Sequence, residues 1–238
     1  MIRVGQEYRI DRLNLITYRG QKKKVMKSLR CRYMAKSQVV NCNAQLQIFE
    51  FVNFRGSHFK NVDFRKASFY GCDFWGASFT KCRFNGAKFV SCVFMACKFK
   101  NCDFSETEFE CTTIVNTNLS DCCNIDVTSG LEIYHEYPIC DIDQELTDAL
   151  EKLKFNRNLK KNKLLFISDK KYNNLNLFLL QNQYLKHLTS LLTKLNDQST
   201  ANITTYKKLE RTLHKIKKSD IINRSRPTQS RGCVANET

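Results

Sequence analysis

The 238-residue sequence has little of what interrupts regular structure or crosses a membrane. It contains only 2 prolines and 8 glycines, which argues against long disordered linkers. No stretch approaches the roughly 20 consecutive apolar residues that a membrane span needs. The first residues, MIRVGQEYRIDR, include no apolar core of a secretory signal. We therefore expect a cytoplasmic protein of a bacterial cell that does not bind a membrane.

Motifs for catalysis are missing as well. The sequence has no G-x-S-x-G, P-loop, G-x-G-x-x-G or H-E-x-x-H pattern. Among its four histidines, only His135, close to Glu136 and Cys140, falls in a segment without a regular pattern. A cysteine–histidine pair can activate a nucleophile, but no spacing here fixes such a pair. The sequence predicts no enzymatic activity, no catalytic residues and no cofactor.

The twelve cysteines lack the spacing of zinc ligands. There is no C-x-x-C, and Cys92, Cys97 and Cys102 are five residues apart, unlike the common pairs of zinc ligands. Free cysteine packs as a small hydrophobic residue. We predict buried, reduced thiols and no metal site.

The net charge of +16 is distributed unevenly. Residues 1–47 carry 11 Lys and Arg against 2 Asp and Glu, residues 48–127 carry 9 against 9, and residues 128–238 carry 19 against 12. A neutral central segment is therefore flanked by two basic ones. Basic flanks are typical of segments that contact phosphates or acidic partners, and also of ordinary solvated surfaces.

What the central segment does contain is phenylalanine at every fifth position. The series comprises Phe54, Phe59, Phe64, Phe69, Phe74, Phe79, Phe84, Phe89, Phe94, Phe99, Phe104 and Phe109, with Phe49 before it and Ile114 and Leu119 after it. Two positions before these central residues runs a series of small ones: Val62, Ala67, Cys72, Ala77, Cys82, Ala87, Cys92, Cys97, Cys102, Thr107, Thr112, Thr117 and Cys122. Self-similarity at a fixed period indicates a repeat architecture.

A period of five fits neither a helix nor a continuous strand. A helix would spread these phenylalanines around all its sides, and a strand would place successive ones on opposite faces. Both conflicts disappear if the chain turns a corner every five residues. Four units then form a square coil of twenty residues, and coils stack at the roughly 4.8 Å spacing of β-strands. The second inward position must be small, because four phenylalanines already fill each cross-section.

The units ASFYG, CDFWG, ASFTK, CRFNG, AKFVS, CVFMA, CKFKN and CDFSE resemble the pentapeptide-repeat family. The resemblance implies a right-handed, four-sided parallel β-helix, here joined to a C-terminal α-helical module, so that the fold class is mainly β with α. The family's best-known members protect DNA gyrase, and their resemblance to duplex DNA depends on acidic side chains. This repeat is neutral, so the sequence departs from the family at the property that carries that mechanism.

Outward residues twenty apart share one face of such a solenoid. Two adjacent columns place apolar side chains on one side: Tyr70, Trp75, Val90, Met95 and Val115. An apolar strip rarely faces water without a reason, and the only Trp of the chain suits an interface anchor. The strip is either a partner or dimer surface, or it is covered by the chain's own flanks, and the second is the commoner arrangement. Another column is basic, with contributions from Lys60, Lys81, Lys98 and Lys100.

The C-terminal segment changes to helical spacing. Leu146, Leu150 and Leu153 step by four and three after Asp143, which could cap a helix. Two interleaved heptad series continue the pattern: Phe178, Leu185 and Leu192, and Gln181, Leu188 and Leu195. The last predicted helix has apolar residues at Tyr206, Leu209, Leu213 and Ile216. Its other side supplies four of the seven residues of a candidate basic patch, which comprises Lys22, Lys23, Lys24, Lys207, Lys208, Arg211 and Lys215.

These patterns divide the chain into five segments. We predict a basic N-terminal cap of short strands and loops over 1–47, the β-helix over 48–127, an irregular connector over 128–142, a helical module over 143–222 and a disordered tail over 223–238. The predicted function is a non-catalytic protein-binding scaffold with an unidentified protein partner. The alternative functions are gyrase protection and nucleic-acid binding through the basic flanks. The alternative partner is a second copy of the chain, which would make a homodimer.

Overall fold

The computed structural model describes residues 12–225, with side chains as far as residue 222. It contains a four-sided parallel β-solenoid followed by a helical module. In the middle of the solenoid, each residue pairs with the residue twenty positions later, as Phe59 does with Phe79 and Phe69 with Phe89. The sequence prediction of a solenoid plus helices is confirmed.

Two faces of the solenoid are stacks of five parallel strands. The first, which we call the lysine face, is formed by β1 (Asn14–Ile16), β3 (Gln38–Val40), β5 (His58–Lys60), β8 (Ser78–Thr80) and β11 (Lys98–Lys100). The third face is formed by β2 (Leu29–Arg30), β4 (Ile48–Glu50), β6 (Ser68–Tyr70), β9 (Lys88–Val90) and β13 (Glu108–Glu110).

The other two faces alternate with these. The second face consists of single bridges that run from Asn43 through Asp63 and Arg83 to Asp103, together with the pair β12 (Cys102–Asp103) and β15 (Cys122–Cys123). The fourth face is formed by β7 (Asp73–Trp75), β10 (Val93–Met95), β14 (Thr112–Val115) and β16 (Leu131–Tyr134).

The corners are made by backbone in the left-handed region. The residue two after a central phenylalanine has a positive φ, such as +51° at Asn61, +57° at Gly71 and +53° at Lys81. Glycine and asparagine adopt this conformation most readily. Other residue types also occupy it here, because the interior packing and the ladder between coils impose the turn on them.

Phenylalanine rings fill the interior in continuous stacks. The Phe69 and Phe89 rings lie 4.6 Å apart at 5°, and the Phe79 and Phe99 rings lie 4.8 Å apart at 7°. Within a coil, successive rings meet edge to face, as Phe54 and Phe59 do at 5.4 Å. Both arrangements are favourable for aromatic pairs, so each ring is held along and across the solenoid.

The small inward residues have a polar role in addition to saving volume. The thiol of Cys72 donates a hydrogen bond to the carbonyl of Phe49 at 3.3 Å, and that of Cys82 to the carbonyl of Phe59 at 3.6 Å. The hydroxyl of Thr112 donates to the carbonyl of Phe89 at 3.1 Å. The predicted burial of the thiols is confirmed for Cys42, Cys72, Cys82, Cys92, Cys97, Cys102 and Cys140, whereas Cys111 and Cys123 are exposed.

The solenoid begins earlier than the predicted residue 48. Strands β1, β2 and β3 pair in parallel with later coils, so the described part of the predicted cap consists of repeat coils. Met34, Val39 and Ala44 continue the five-residue series inward and are buried. The boundary was misplaced because these residues replace phenylalanine while keeping its position.

The solenoid also continues into the predicted irregular connector. Strand β16 pairs with β14 and adds a rung to the fourth face, with Ile114 opposite Ile133. Thr112 pairs with Leu131, one residue short of the twenty-residue period. A five-residue pattern therefore could not reveal this last strand.

The helical module comprises α1 (Gln144–Leu153), α2 (Arg157–Lys161), α3 (Asn174–Tyr184), α4 (Leu188–Leu195) and α5 (Tyr206–Ser225). A hairpin of β17 (Phe166–Ser168) and β18 (Lys171–Tyr172) separates α2 from α3. Asp143 caps α1 by accepting from the N–H of Leu146 at 2.8 Å, as predicted. None of the described helices is long and apolar enough to cross a membrane.

The two heptad series do not form one helix. Leu185 has φ +43° and is exposed, and a single 3₁₀ turn over Leu185–His187 separates α3 from α4. At the C-terminus, α5 extends to Ser225, beyond the predicted end at residue 222. Residues 226–238 of the predicted tail and residues 1–11 of the predicted cap lie outside the described residues.

Candidate functional site

The predicted apolar strip is covered by the chain's own helices. Val93, Met95 and Val115 are buried in one cluster with Leu175 and Leu179 of α3. Of the two alternatives that the sequence left open, the structure shows the second for this part of the strip. Met95 and Val115 are therefore not open to a partner.

The remaining residues of the strip are half-buried at the margins of this contact. The Trp75 ring lies 3.9 Å from the Arg55 guanidinium and 6.5 Å from the Tyr137 ring. The Tyr70 ring packs edge to face on Phe51 at 5.2 Å. Val90 is also half-buried. Trp75 anchors an internal contact, because Arg55 and Tyr137 belong to the same chain.

A set of hydrogen bonds locks the helical module onto the fourth face. The amide of Asn53 donates to the carbonyls of Asn162 at 3.2 Å and Thr204 at 3.0 Å. The hydroxyl of Thr204 donates to the carbonyl of Phe51 at 2.6 Å. These contacts link residues more than a hundred positions apart, and sequence spacing gave no signal of them.

Asp73 is the charged group at this joint. Its Oδ2 accepts from the N–H of Tyr206, the first residue of α5, at 2.9 Å, while Oδ1 is buried without a hydrogen-bond partner in the described residues. Burial raises the pKa of Asp73 to about 7, against the opposing effects of the Tyr206 N–H and the Arg55 charge. A helix N-terminus favours a carboxylate, but here desolvation dominates.

The candidate basic patch is not one patch. In α5, Lys207 pairs with Glu210 at 2.6 Å, and the Lys208 ammonium lies 4.7 Å from the Phe51 ring. Arg211 lies 5.5 Å from the same ring, whereas Lys215 is exposed. These side chains belong to a helix that packs beside the third and fourth faces. Lys22, Lys23 and Lys24 are exposed in a loop that begins at the lysine face.

The lysine face is the open basic surface of the solenoid. Lys60, Lys81, Lys98 and Lys100 are exposed, as is Lys36 at its edge. Among the described residues, no Asp or Glu side chain forms an ion pair with any of these lysines. The four central arcs of this face, residues 36–42, 56–62, 76–82 and 96–102, contain no Asp or Glu, whereas the next rung, which begins at Asn118, includes the exposed Asp121. The column pattern predicted this basic side, but the sequence did not show which side the helices would leave open.

The basic loop lies next to this face. The N–H of Thr17 donates to the carbonyl of Val40 at 3.0 Å, and the amide of Asn41 donates to the carbonyl of Thr17 at 2.7 Å. The N–H of Lys24 donates to the hydroxyl of Thr17 at 3.1 Å. These bonds hold the loop of Lys22, Lys23 and Lys24 beside the first two coils of the lysine face.

On the neighbouring second face, positively charged side chains are paired with a carboxylate. Arg65 and Arg83 each pair with Asp63 at 2.9 Å. Burial raises the pKa of Asp63, but hydrogen bonds from Arg65 and Gln45 outweigh it and lower the pKa overall. Positive charge on this face is therefore neutralised locally, in contrast to the lysine face.

The histidine and cysteine noted in the connector do not form a pair. His135 is exposed, and the Cys140 thiol has its contact with the side-chain oxygen of Gln181 at 3.0 Å. Over the residues that the structure describes, no group of His, Cys, Asp and Glu side chains could hold a metal ion.

The repeat geometry defines a β-solenoid, and a family model identifies the kind of repeat from which it is built. The model of pentapeptide repeats matches eight copies over residues 48–86 and 87–123. This part of the chain, about a third of it, consists of pentapeptide repeats. No curated protein matches the chain.

The chain is similar to several solved structures over part of its length. QnrB1, a plasmid-mediated fluoroquinolone resistance protein, is 20% identical over 47% of this chain and 56% of its own, with a TM-score of 0.32. A pentapeptide repeat protein from the Arabidopsis thaliana thylakoid lumen is 15% identical over 44% and 79%, with a TM-score of 0.27. HetL, involved in heterocyst differentiation regulation in the cyanobacterium Nostoc, is 12% identical over 47% and 61%, with a TM-score of 0.22. The chain thus spans 56% of the length of QnrB1.

Proposed function

We propose that this protein is a non-catalytic binding scaffold whose working surface is the lysine face. The observation that carries the proposal is the uncompensated positive charge on a side of the solenoid that the helical module leaves open. Pentapeptide-repeat proteins are generally non-enzymatic scaffolds, which supports the class. A phenylalanine-filled core keeps the backbone of the lysines in fixed columns, so little backbone order has to be gained on binding.

The proposal places the partner on the lysine face instead of the apolar strip, and it requires a partner that is negatively charged. A strip covered by α3 cannot recruit a protein without undocking the module. An open basic face attracts an acidic or phosphate-bearing partner over a distance set by the salt concentration. A gyrase-protection role has less support, because the open face has the opposite sign from a duplex mimic.

Site-specific photocrosslinking in cells tests the working surface without assuming the class of partner. A photoreactive side chain is placed at Lys81 on the lysine face and, as a matched control, at the exposed Lys170 in the hairpin of the helical module. We expect a discrete crosslinked species, protein or nucleic acid, from position 81 and none from position 170. Equal crosslinking at both positions, or none at position 81, would contradict the proposal.

A further inference from the structure

We infer that the lysine face binds the phosphate backbone of a nucleic-acid duplex without reading its sequence. The inference rests on the proposed function and specifies its partner. It also relocates the basic site that the sequence suggested, since the α5 side chains pack beside the solenoid while the lysine face stays open.

The side chains on this face are those that proteins use to contact phosphate. Apart from its lysines, the face presents Gln38, His58, Ser78, Thr80 and the corner residues Asn41, Asn61 and Asn101. Lysine, serine, threonine, asparagine and glutamine supply much of the phosphate contact in protein–DNA complexes. A carboxylate would repel the backbone, and none lies on these four arcs.

The face lacks what a protein partner requires. Protein hot spots are enriched in Trp, Tyr and Arg set in well-packed pockets. The outward positions of the four arcs contain no Trp, Tyr, Phe or Arg, and their largest apolar side chain is the half-buried Val40. Charge complementarity therefore favours a polyanion over an acidic protein with an apolar core contact.

The scarcity of outward aromatic residues on these arcs also favours a duplex over a single strand as the ligand. Proteins that hold single strands without sequence preference stack bases on aromatic side chains. Here the phenyl rings of Phe59, Phe79 and Phe99 in β5, β8 and β11 are buried, and the one outward ring is the imidazole of His58, whose Nδ1 lies 2.7 Å from the hydroxyl of Ser78. A single imidazole cannot stack successive bases, so the lysines of this surface are suited to the backbone of a regular duplex.

The spacing of the lysines suits a row of phosphates. One column of the face runs through Lys60, Thr80 and Lys100. Lys60 and Lys100 are therefore two coils, or about 10 Å, apart. Lys98 and Lys100 project from the same strand about 7 Å apart. Lysine is a flexible point charge, and its long stem can adjust to phosphates that do not match the coil spacing. The loop of Lys22, Lys23 and Lys24 lengthens the positive surface at the N-terminal end.

The test compares two full-length variants with the same net charge. The face variant is K60Q/K81Q/K98Q/K100Q, and the control variant is K152Q/K170Q/K186Q/K218Q, which removes four exposed lysines from the helical module. Fluorescence anisotropy is measured with a 24-base-pair duplex of mixed sequence, the corresponding single strand and a poly-glutamate peptide, over a range of salt concentrations. Circular dichroism melts check that both variants remain folded.

We expect the wild type to bind the duplex more tightly than the single strand or the peptide. The face variant should bind it at least tenfold more weakly, and the slope of log K against log salt should flatten by about one for each phosphate contact removed. The control variant should stay within about twofold of the wild type if binding is local to the face. Equal losses in the two variants would overturn the inference, since net charge alone would then account for binding.

The two experiments together distinguish an error in the nucleic-acid inference from an error in the scaffold proposal. If the wild type binds poly-glutamate but not the duplex, or if position 81 crosslinks only to a protein, nucleic-acid binding is wrong and the scaffold stands. If position 81 gives no specific crosslink and the duplex does not bind, both are wrong.

Discussion

At the scale of single residues, Asp73 shows how the position of a residue in the fold overrides its position in the repeat. Asp63, Asp73 and Asp103 all precede a central phenylalanine and project outward. Asp63 is paired with two arginines, whereas Asp73 is buried under α5 with one oxygen unpartnered. The repeat assigns all three the same place in a five-residue unit, and the docked module on the fourth face is what raises the pKa of Asp73.

We predict that Asp73 makes the stability of the protein fall as the pH rises through the acidic range. With a folded pKa of about 7 and an unfolded pKa of about 3.9, the carboxyl binds a proton on folding between these values. The free energy of unfolding therefore decreases from about pH 4 to pH 7, by at most about 4 kcal/mol. Asp73→Asn keeps an acceptor for the Tyr206 N–H and should remove this component, as urea unfolding at a series of pH values can measure.

Asp63→Asn is the matched control for this measurement. The folded pKa of Asp63 is lowered, so its contribution is present above its unfolded pKa and is lost only as the pH falls through the folded value. Asp63→Asn should leave the slope between pH 5 and pH 7 unchanged. A wild-type slope that survives in Asp73→Asn would assign the pH dependence to another group.

At the scale of elements, α5 depends on a close approach that only glycine permits. A Cβ at Gly71 would lie 2.9 Å from the Phe51 ring and 2.9 Å from the Cβ of Lys207. Real Cβ atoms do not approach other carbons this closely. The corner of the third face thus fits against the first turn of α5 because it has no side chain.

We predict that Gly71→Ala destabilises the docking of α5, whereas Gly76→Ala does so much less. Both glycines have a positive φ, +57° and +64°, but nothing lies within 4 Å of a Cβ at Gly76. Both variants share the cost of a left-handed alanine, about 1 kcal/mol, and Gly71→Ala adds about 1–3 kcal/mol for the clash. Hydrogen exchange of α5 amides measures the difference, and equal protection in the two variants would contradict the proposed contact.

The sequence predicted the elements that depend on local pattern. The phenylalanine series specified the coil, and Asp143 with the leucines specified α1, because each signal lies within a few neighbouring residues. The start of the solenoid was missed where Met34, Val39 and Ala44 take the inward position. The break at Leu185 was missed because the heptad series passes through it without a change of residue type.

At the scale of the whole molecule, α3 joins the two units because it is apolar on two sides. Leu175 and Leu179 pack on the strip of the fourth face, and Leu177 and Leu180 pack in the core of the helical module. A helix that is hydrophobic all round is a buried helix. The sequence of α3 indicates burial, but which solenoid face it covers depends on contacts distant in sequence, and so the sequence left the strip either open or covered.

We predict that the variant L175D/L179D uncovers the apolar strip. Two carboxylates cannot be buried against Val93, Met95 and Val115 without a large desolvation cost, so the helical module should separate from the solenoid. The expected signs are binding of a hydrophobic dye, a larger radius in small-angle scattering and self-association in light scattering. N182D/Q183D introduces the same charge at exposed positions of α3 and should remain compact; dye binding by both variants alike would show that charge, not uncovering, is responsible.

The twenty-residue register also determines where the chain can vary in length. Asn14 and Gln38 pair although they are 24 positions apart, with the extra residues in an exposed loop, and Thr112 pairs with Leu131 at 19 positions. Between these ends, the ladder from Phe59 to Phe79 to Phe99 keeps the period. One unit more or less in the middle would turn every later face by a quarter revolution and carry Asp73 and the strip away from the helices. Changes of length are therefore confined to the two ends of the solenoid. There they do not rotate the faces that must stay aligned with the helices.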